Sequence, residues 1–396
     1  MRSLMLIALW VSIVGGAIAC GGGDSSCDGG PCREDVRGDR PPAGGPMCFP
    51  SYDSGTQVLP DQMGTTVKIA TGQNARCALL QNGALYCWGD ANYTGFASAV
   101  PVPTPTLVPS LSQVIDVDVA TFHSCAVVTD GSVFCWGSGG YRELGSNIRM
   151  SPTPVLVEGV SNAVEVRVGS AGSCAILRDR SARCWGPVDP RESVSTLRGV
   201  VDIAIGETHS CAVLSDRSLQ CISHSATPAP GASGRETIGQ FAPIAAVSDA
   251  IDVVVLGSAT CVLLRSGVVQ CWGTSGNGQL GTGVCDFGRT LALPTAVHGI
   301  TNATAIGGGG SSMCAVLSDR TVHCWGTGAL APLGLHSVPW LSTVPVRVPG
   351  VESAVAVDAS GGFFGRTVMG SVLAWGTSTL DESGRRPGPA RYIQIP

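Results

Sequence analysis

The sequence predicts an all-β fold, a seven-bladed β-propeller of four-stranded blades over residues 57–396, and three observations carry that prediction. Cysteines recur in pairs ten residues apart, a Trp-Gly follows most second cysteines, and the whole unit returns about every fifty residues. A period of this length marks propellers and solenoids. Composition agrees: only 13% of residues are charged, while 54 Gly and 25 Pro in 396 residues favour many turns and short strands over long helices.

The pairs are Cys77 and Cys87, Cys125 and Cys135, Cys174 and Cys184, Cys211 and Cys221, Cys261 and Cys271, and Cys314 and Cys324. A seventh copy of the unit carries Phe364 and Ala374 instead, both cysteines being absent together, as expected of bonded partners. First-cysteine positions, counting Phe364, step by 48, 49, 37, 50, 53 and 50 residues. Before each lies a strand with β-branched residues at alternate positions, such as Val117-Asp118-Val119 or Val201-Asp202-Ile203. A hairpin spans the cysteine pair, and a loop of variable length leads to a Pro-flanked strand such as Pro154-Val155-Leu156-Val157. Each unit thus supplies the four strands of one blade. Either 57–60 or Arg391-Tyr392-Ile393-Gln394-Ile395 is expected to complete the last blade.

Hairpin register follows from counting. With Gln81, Asn82 and Gly83 as a three-residue loop and Gly83 left-handed, residue 80 opposes 84 and Cys77 opposes Cys87. That places the cysteines at a non-hydrogen-bonded pair, with Cα atoms about 4.5 Å apart, close enough for a disulfide. Arg180, Arg217 and Arg320 stand where other repeats have the turn glycine. A side chain there costs about 1 kcal/mol, and the preceding Asp offsets part of it by holding the turn.

The runs v-D-v-a-x-G-x-x-H-S-C-A-v-x-x-D-G-x-v-x-C-W-G and Gly276-Asn277-Gly278-Gln279-Leu280-Gly281 resemble repeats of the regulator of chromosome condensation family. The resemblance covers about 340 residues and recurs seven times, with departures. The G-Q-L-G stretch survives otherwise only in part, at Glu143-Leu144-Gly145, and Ile222-Ser223 replaces Trp-Gly in the fourth repeat. The resemblance implies a binding propeller. Founding eukaryotic members bind a small GTPase and chromatin, a role that the N-terminus and acidic balance of this chain argue against. Other members include secreted bacterial β-lactamase inhibitors and many lipoproteins.

Residues 1–19 read as a signal peptide: Arg2, an apolar run over 4–14, then small residues ending at Cys20. The apolar core is too short for a transmembrane helix, which needs about 20 residues. Ala17-Ile18-Ala19-Cys20 resembles a bacterial lipobox, so Cys20 is the expected lipidation site and acyl chains there the expected membrane anchor. Residues 20–56, rich in Gly, Pro, Asp and Ser, read as a tether. Seventeen cysteines independently favour an oxidising compartment. Export as a membrane-anchored lipoprotein follows, at an outer-membrane, periplasmic or cell-surface location.

Candidate chemistry is sparse. The six histidines include no pair at metal-ligand spacing, and His123 and His209 occupy equivalent positions before Ser-Cys, which marks them as structural. The glycines 307–310 lack the Lys and Ser or Thr of a phosphate loop. Trp88, Trp136, Trp185, Trp272, Trp325 and Trp375 recur in register, which favours blade packing over an aromatic binding platform. Cys27, Cys32, Cys48 and Cys285 remain, and disulfides are favoured over zinc there. Paired carboxylates are not legible, because a propeller's central face gathers residues from distant repeats. The net charge of −5, with Lys68 the only lysine, gives no reason to expect nucleic acid. The expected function is therefore a non-catalytic, monomeric binding scaffold without cofactor or metal, engaging a protein or polysaccharide through one face. The alternatives are a secreted inhibitor of an extracellular enzyme such as a β-lactamase, and a propeller hydrolase or lyase.

Overall fold

A computed structural model describes residues 64–170, 172–187, 197–224, 229–232, 240–283, 289–327, 341–380 and 387–396. The signal segment, Cys20, the tether, residues 57–60 and Cys27, Cys32, Cys48, Cys285 and His336 lie outside the described residues. All regular structure among the described residues is β-strand, arranged in seven antiparallel sheets. Six sheets have four strands in chain order, and the third blade has three among the described residues. Blade one runs Thr66–Thr71, Ala75–Leu80, Leu85–Gly89, Val102–Leu107, and the other blades repeat this meander. The innermost strands of blades two to seven are Val114–Val119, Ala163–Gly169, Val200–Ile205, Ala250–Leu256, Ala303–Gly309 and Ala354–Asp358. The last blade is completed by the C-terminal strand Pro387–Ile393, paired to Val372–Leu380.

The central hairpin has the register that counting predicts. Cys77 opposes Cys87, Leu80 N–H donates to Ala84 C=O at 2.9 Å, and Gly83 has φ 80°. Arg180, Arg217 and Arg320 adopt the same left-handed conformation, at φ 61°, 66° and 68°. In five of the seven hairpins an asparagine or aspartate precedes this residue and holds the turn by accepting the next N–H, as Asp179 does from Ser181 at 2.9 Å.

The left-handed residue also joins the blades. Its carbonyl accepts the first innermost-strand N–H of the next blade: Val114 to Gly83 at 3.0 Å, Val200 to Arg180 at 2.8 Å, and so on around the ring. Thr66 N–H to Gly370 C=O, at 3.2 Å, closes blade seven onto blade one. A Cβ at Gly83 would lie 2.9 Å from the Gln113 backbone, so the close approach itself favours glycine.

Six disulfides form as the spacing predicts, with Cα separations of 4.0 to 4.1 Å. Each lies on the blade face turned toward the next blade. Cys77 and Cys87 pack on Val117, Ala126 and Trp136 of blade two, and Cys261 and Cys271 on Ile306, Ala315 and Trp325 of blade six. The residue after each first cysteine, alanine except for Val262 in blade five, faces the other way, keeping that surface low enough for the preceding blade's sulfurs to approach. At the seventh boundary Phe364 and Ala374 fill the same place against Ile69, Ala78 and Trp88. The Phe364 and Trp88 rings meet edge to face, with centroids 6.3 Å apart.

Because Phe364 and Ala374 already substitute for one bridge, no single disulfide should be indispensable. Replacing Cys125 and Cys135 together by alanine is expected to lower the unfolding free energy by about 3 kcal/mol through loop-closure entropy, with further loss from the vacated space. Urea denaturation would measure the drop. A pair variant without native circular dichroism would contradict this reading, as would free thiols in non-reducing peptide maps of the wild type.

Candidate functional site

The innermost strands leave one edge without a strand partner, and the blades satisfy much of that edge with carboxylates. Asp116 of blade two accepts from Val166 N–H of blade three at 2.9 Å, and Asp118 accepts from Val168 N–H at 2.7 Å. Asp202 of blade four accepts from Val253 N–H of blade five at 3.3 Å, and Asp358 of blade seven from Thr71 N–H of blade one at 2.9 Å. These side chains aim sideways because every innermost strand carries a bulge at its second residue, such as Val67 or Ile115. The strict alternation expected from sequence is therefore broken at the channel, and Asp116 is buried.

Arg167 is the charged hub. Its guanidinium lies 2.9 Å from Glu165, 3.2 Å from Asp202 and 3.5 Å from Asp116, while Lys68 holds the other Asp116 oxygen at 2.6 Å. Burial alone would lower the Arg167 pKa, but Asp202, Asp116, Asp118 and Glu165 together raise it, so the side chain stays charged. Burial pushes the Asp118 carboxyl up to about 6, opposed by Lys68, Arg167 and the Val168 N–H. Asp252 lies well above the usual carboxylate range, first through burial and then through the charge and hydrogen bond of Asp202. Blades four and five thus bring Asp202 and Asp252 side by side in a channel cavity of about 620 Å³. Among the described residues no group of three or more His, Cys, Asp or Glu is placed to hold a metal ion.

The remaining residues singled out from sequence serve the blade boundaries. His123 and His209 are buried, and each bonds the hydroxyl before the next blade's cysteine: His123 Nε2 to Ser173 Oγ at 2.7 Å, His209 Nε2 to Thr260 Oγ1 at 2.6 Å. Burial lowers their pKa values to about 4 and about 3, the latter helped by His224. Blade one has Ala75 at the histidine position, and the facing Ser124 hydroxyl is buried without a partner among the described residues. Trp136, Trp272, Trp325 and Trp375 are fully buried, which rules them out as an exposed platform. Three of these indoles reach back to the preceding blade, Trp136 Nε1 to Tyr93 C=O at 2.9 Å, Trp272 Nε1 to Pro230 C=O at 2.7 Å and Trp325 Nε1 to Gln279 C=O at 2.9 Å, while Trp375 Nε1 is buried without a partner among the described residues. Glycines 307, 308 and 309 belong to the blade-six innermost strand, where a Cβ would meet neighbouring atoms at 2.1 to 2.6 Å.

Among the described residues, the loops after the innermost strands and those after the third strands of blades one and two lie at one mouth of the channel. In blade two these loops expose Phe122 (57%), Tyr141 (75%), Ile148 and Met150. Sequence reading did not single out these residues. Their signal was a departure from the repeat: the positions equivalent to Phe122 hold Asn74, Thr208, Ser258, Ser311 and Gly361 in other blades.

Models of the regulator of chromosome condensation (RCC1) repeat match residues 67–95 and 114–143, and residues 130–176. An Arabidopsis thaliana relative, the mitochondrial RCC1 domain-containing protein RUG3, is 31% identical over 94 residues, 23% of this chain. The match spans only 20% of that relative's length. Among solved structures, yeast RCC1 (Prp20) bound to Kap60 superposes with a TM-score of 0.63 at 19% identity, covering 75% of this chain and 79% of the other. Prp20p from Saccharomyces cerevisiae, reported with its binding to Gsp1p and histones, gives 0.60 at 19% identity, covering 72% and 77%. At these identities the structural likeness concerns the fold.

Two outcomes follow from the buried groups. With a folded pKa near 4 against about 6.5 unfolded, His123 contributes stability that is complete above pH 6.5 and lost as pH falls toward 4. The stability gap between wild type and His123→Gln should narrow by about 2–3 kcal/mol between pH 7.5 and 4.5 in urea denaturation, and an unchanged gap would refute this. Asp118 has the opposite sign, because lowering the pH through about 6 neutralises a buried charge. Asp118→Ala, which strips Val168 N–H of its acceptor, should cost about 1–3 kcal/mol at neutral pH, while Asp118→Asn keeps an acceptor and should lie closer to wild type.

Proposed function

From the premise that this chain is a β-propeller with repeats of the regulator of chromosome condensation type, we propose that it is a non-catalytic binding scaffold, exported and held at a membrane by lipid on Cys20. The observation that carries the reading is the use of the channel carboxylates. Asp116, Asp118, Asp202 and Asp358 each accept from the next blade's backbone, and Arg167 is enclosed by acidic partners. Four of the channel carboxylates from which a propeller enzyme would draw an acid and a base are therefore engaged in holding blades together, and a fifth, Asp252, is hydrogen-bonded to Asp202. What the ring displays freely is its loops, on a frame with little freedom to move. Kap60, Gsp1p and histones, named with the yeast proteins of the same fold, are protein partners, which supports a protein partner here.

Six disulfides support an oxidising compartment, since such bonds do not persist in a reducing cytosol. The exposed aromatic residues of blade two also favour a second reading, a secreted inhibitor that covers an extracellular enzyme's active site. Two measurements test these readings. Cys20→Ser should move the protein from the membrane to the soluble fraction, and an unchanged distribution would remove the anchor. In capture from the native envelope with the body lacking residues 1–20, a partner held stoichiometrically and unaltered is expected. A small molecule chemically converted during incubation would replace the binding reading with a catalytic one.

A further inference from the structure

Two loops of the ring share one backbone and differ in what they present. Residues 276–281 of blade five read Gly-Asn-Gly-Gln-Leu-Gly, and residues 140–145 of blade two read Gly-Tyr-Arg-Glu-Leu-Gly. In the first, Asn277 N–H donates to Gln279 Oε1 at 2.8 Å; in the second, Tyr141 N–H donates to Glu143 Oε2 at 2.7 Å. The next blade's tryptophan bonds Gln279 C=O in one case and Glu143 C=O in the other. The third residue is left-handed in both, Gly278 at φ 70° and Arg142 at φ 70°.

Blade five uses Asn-Gly at this turn, and its Asn277 Nδ2 also ties the loop to Ser311 Oγ of blade six at 3.0 Å. Blade two has Tyr-Arg instead. The left-handed arginines of the hairpins follow an aspartate that holds the turn, whereas Arg142 follows Tyr141. The chain therefore carries backbone strain at Arg142 and gives up an interblade tie, while Tyr141 stands 75% exposed. Strain retained in an exposed loop, where glycine would remove it, points to a use for the side chains.

The neighbours of this loop extend the same surface. Ser138 N–H bonds Phe122 C=O at 2.7 Å, Ser138 pairs with Met150 across the sheet, and Gly139 N–H bonds Arg149 C=O at 2.8 Å. Arg142 N–H bonds Gly139 C=O at 3.0 Å. Phe122, Tyr141, Arg142, Arg149 and Met150 thus form one exposed cluster, and among the described residues neither arginine has a carboxylate partner. Tyrosine, phenylalanine, methionine and arginine are the residues enriched where proteins meet proteins.

We propose that this corner of blade two docks a protein whose surface presents carboxylates beside an apolar side chain. The carboxylates would pair with Arg142 and Arg149, and the apolar group would lie between Phe122, Tyr141 and Met150. This rests on the binding-scaffold reading and assigns that scaffold a site and a partner chemistry.

The test pans displayed random short peptides against the full chain, then measures the selected peptides by fluorescence anisotropy. Selected peptides should carry Asp or Glu next to Phe, Leu or Trp and bind more weakly as salt is raised. Tyr141→Asn and Arg142→Gly should each weaken binding by about tenfold or more. Met369→Ala, in the blade-seven hairpin on the opposite face, should leave it unchanged. Arg142→Gly should at the same time raise Tm by relieving the left-handed strain, which separates lost binding from lost folding. Peptides without acidic bias, equal binding to wild type and variants, a fall in Tm for Arg142→Gly, or no selected peptide would each overturn the site. Binding abolished by Met369→Ala alone would overturn this site while leaving the scaffold reading intact. Soluble dextran or alginate bound in place of peptides, and lost with Tyr141→Asn, would overturn the protein partner.

Discussion

Everything in this ring depends on one hydrogen bond made at each blade boundary. The left-handed third residue of each central hairpin turns its carbonyl toward the next blade, where the first innermost-strand N–H meets it. That bond fixes where the next strand starts, and so which residues of that strand face the channel and which face the neighbouring blade. Because the same bond joins Thr66 to Gly370, the first and last blades meet under the rule that joins the others. The left-handed conformation is therefore required of glycine and arginine alike.

Once blades are set at that spacing, the boundary must be filled and its polar groups satisfied. The disulfide does both covalent and packing work, stapling the hairpin and offering a compact apolar surface to the next blade's tryptophan. The indole N–H would be stranded there, and in Trp136, Trp185, Trp272 and Trp325 it is carried through the boundary to a carbonyl in the preceding blade's loop. Histidine and hydroxyl pairs satisfy one another a little further along the same boundary. At the centre, where strand edges have no neighbour, aspartates accept the free N–H groups, and Arg167 balances the resulting charge. A buried carboxylate is costly to keep unless it is hydrogen-bonded and near a cation, and the channel supplies both conditions.

The consequence for function is a division between frame and display. Polar groups within the blades are largely tied to neighbours, so substitutions there act mainly on stability. The loops of one face carry fewer such obligations, and there the repeat departs furthest from itself. Blade two keeps Leu144 and places Glu143 where blade five has Gln279, accepting the same backbone N–H, while changing the outward pair to Tyr141 and Arg142. A loop that keeps its internal hydrogen bond and leucine while changing its exposed pair is what selection for recognition on a fixed frame would leave.

The sequence by itself determined whatever is settled within a few residues. Loop length fixes hairpin register, register brings Cys77 opposite Cys87, and repetition of that unit dictates the number of blades. The paired loss at Phe364 and Ala374 identified bonded partners before any contact was known. Only the tertiary structure decided what Asp116, Asp118, Asp202 and Asp358 do, because their partners stand on another blade, about fifty residues away or at the far end of the chain. It also decided that the C-terminal strand completes blade seven, where two segments fitted the pattern equally well. The clustering of Phe122 with Tyr141 and Met150 was hidden for the same reason. Strand pairing and loop packing set that neighbourhood, and the one-dimensional repeat records only that each residue is out of place.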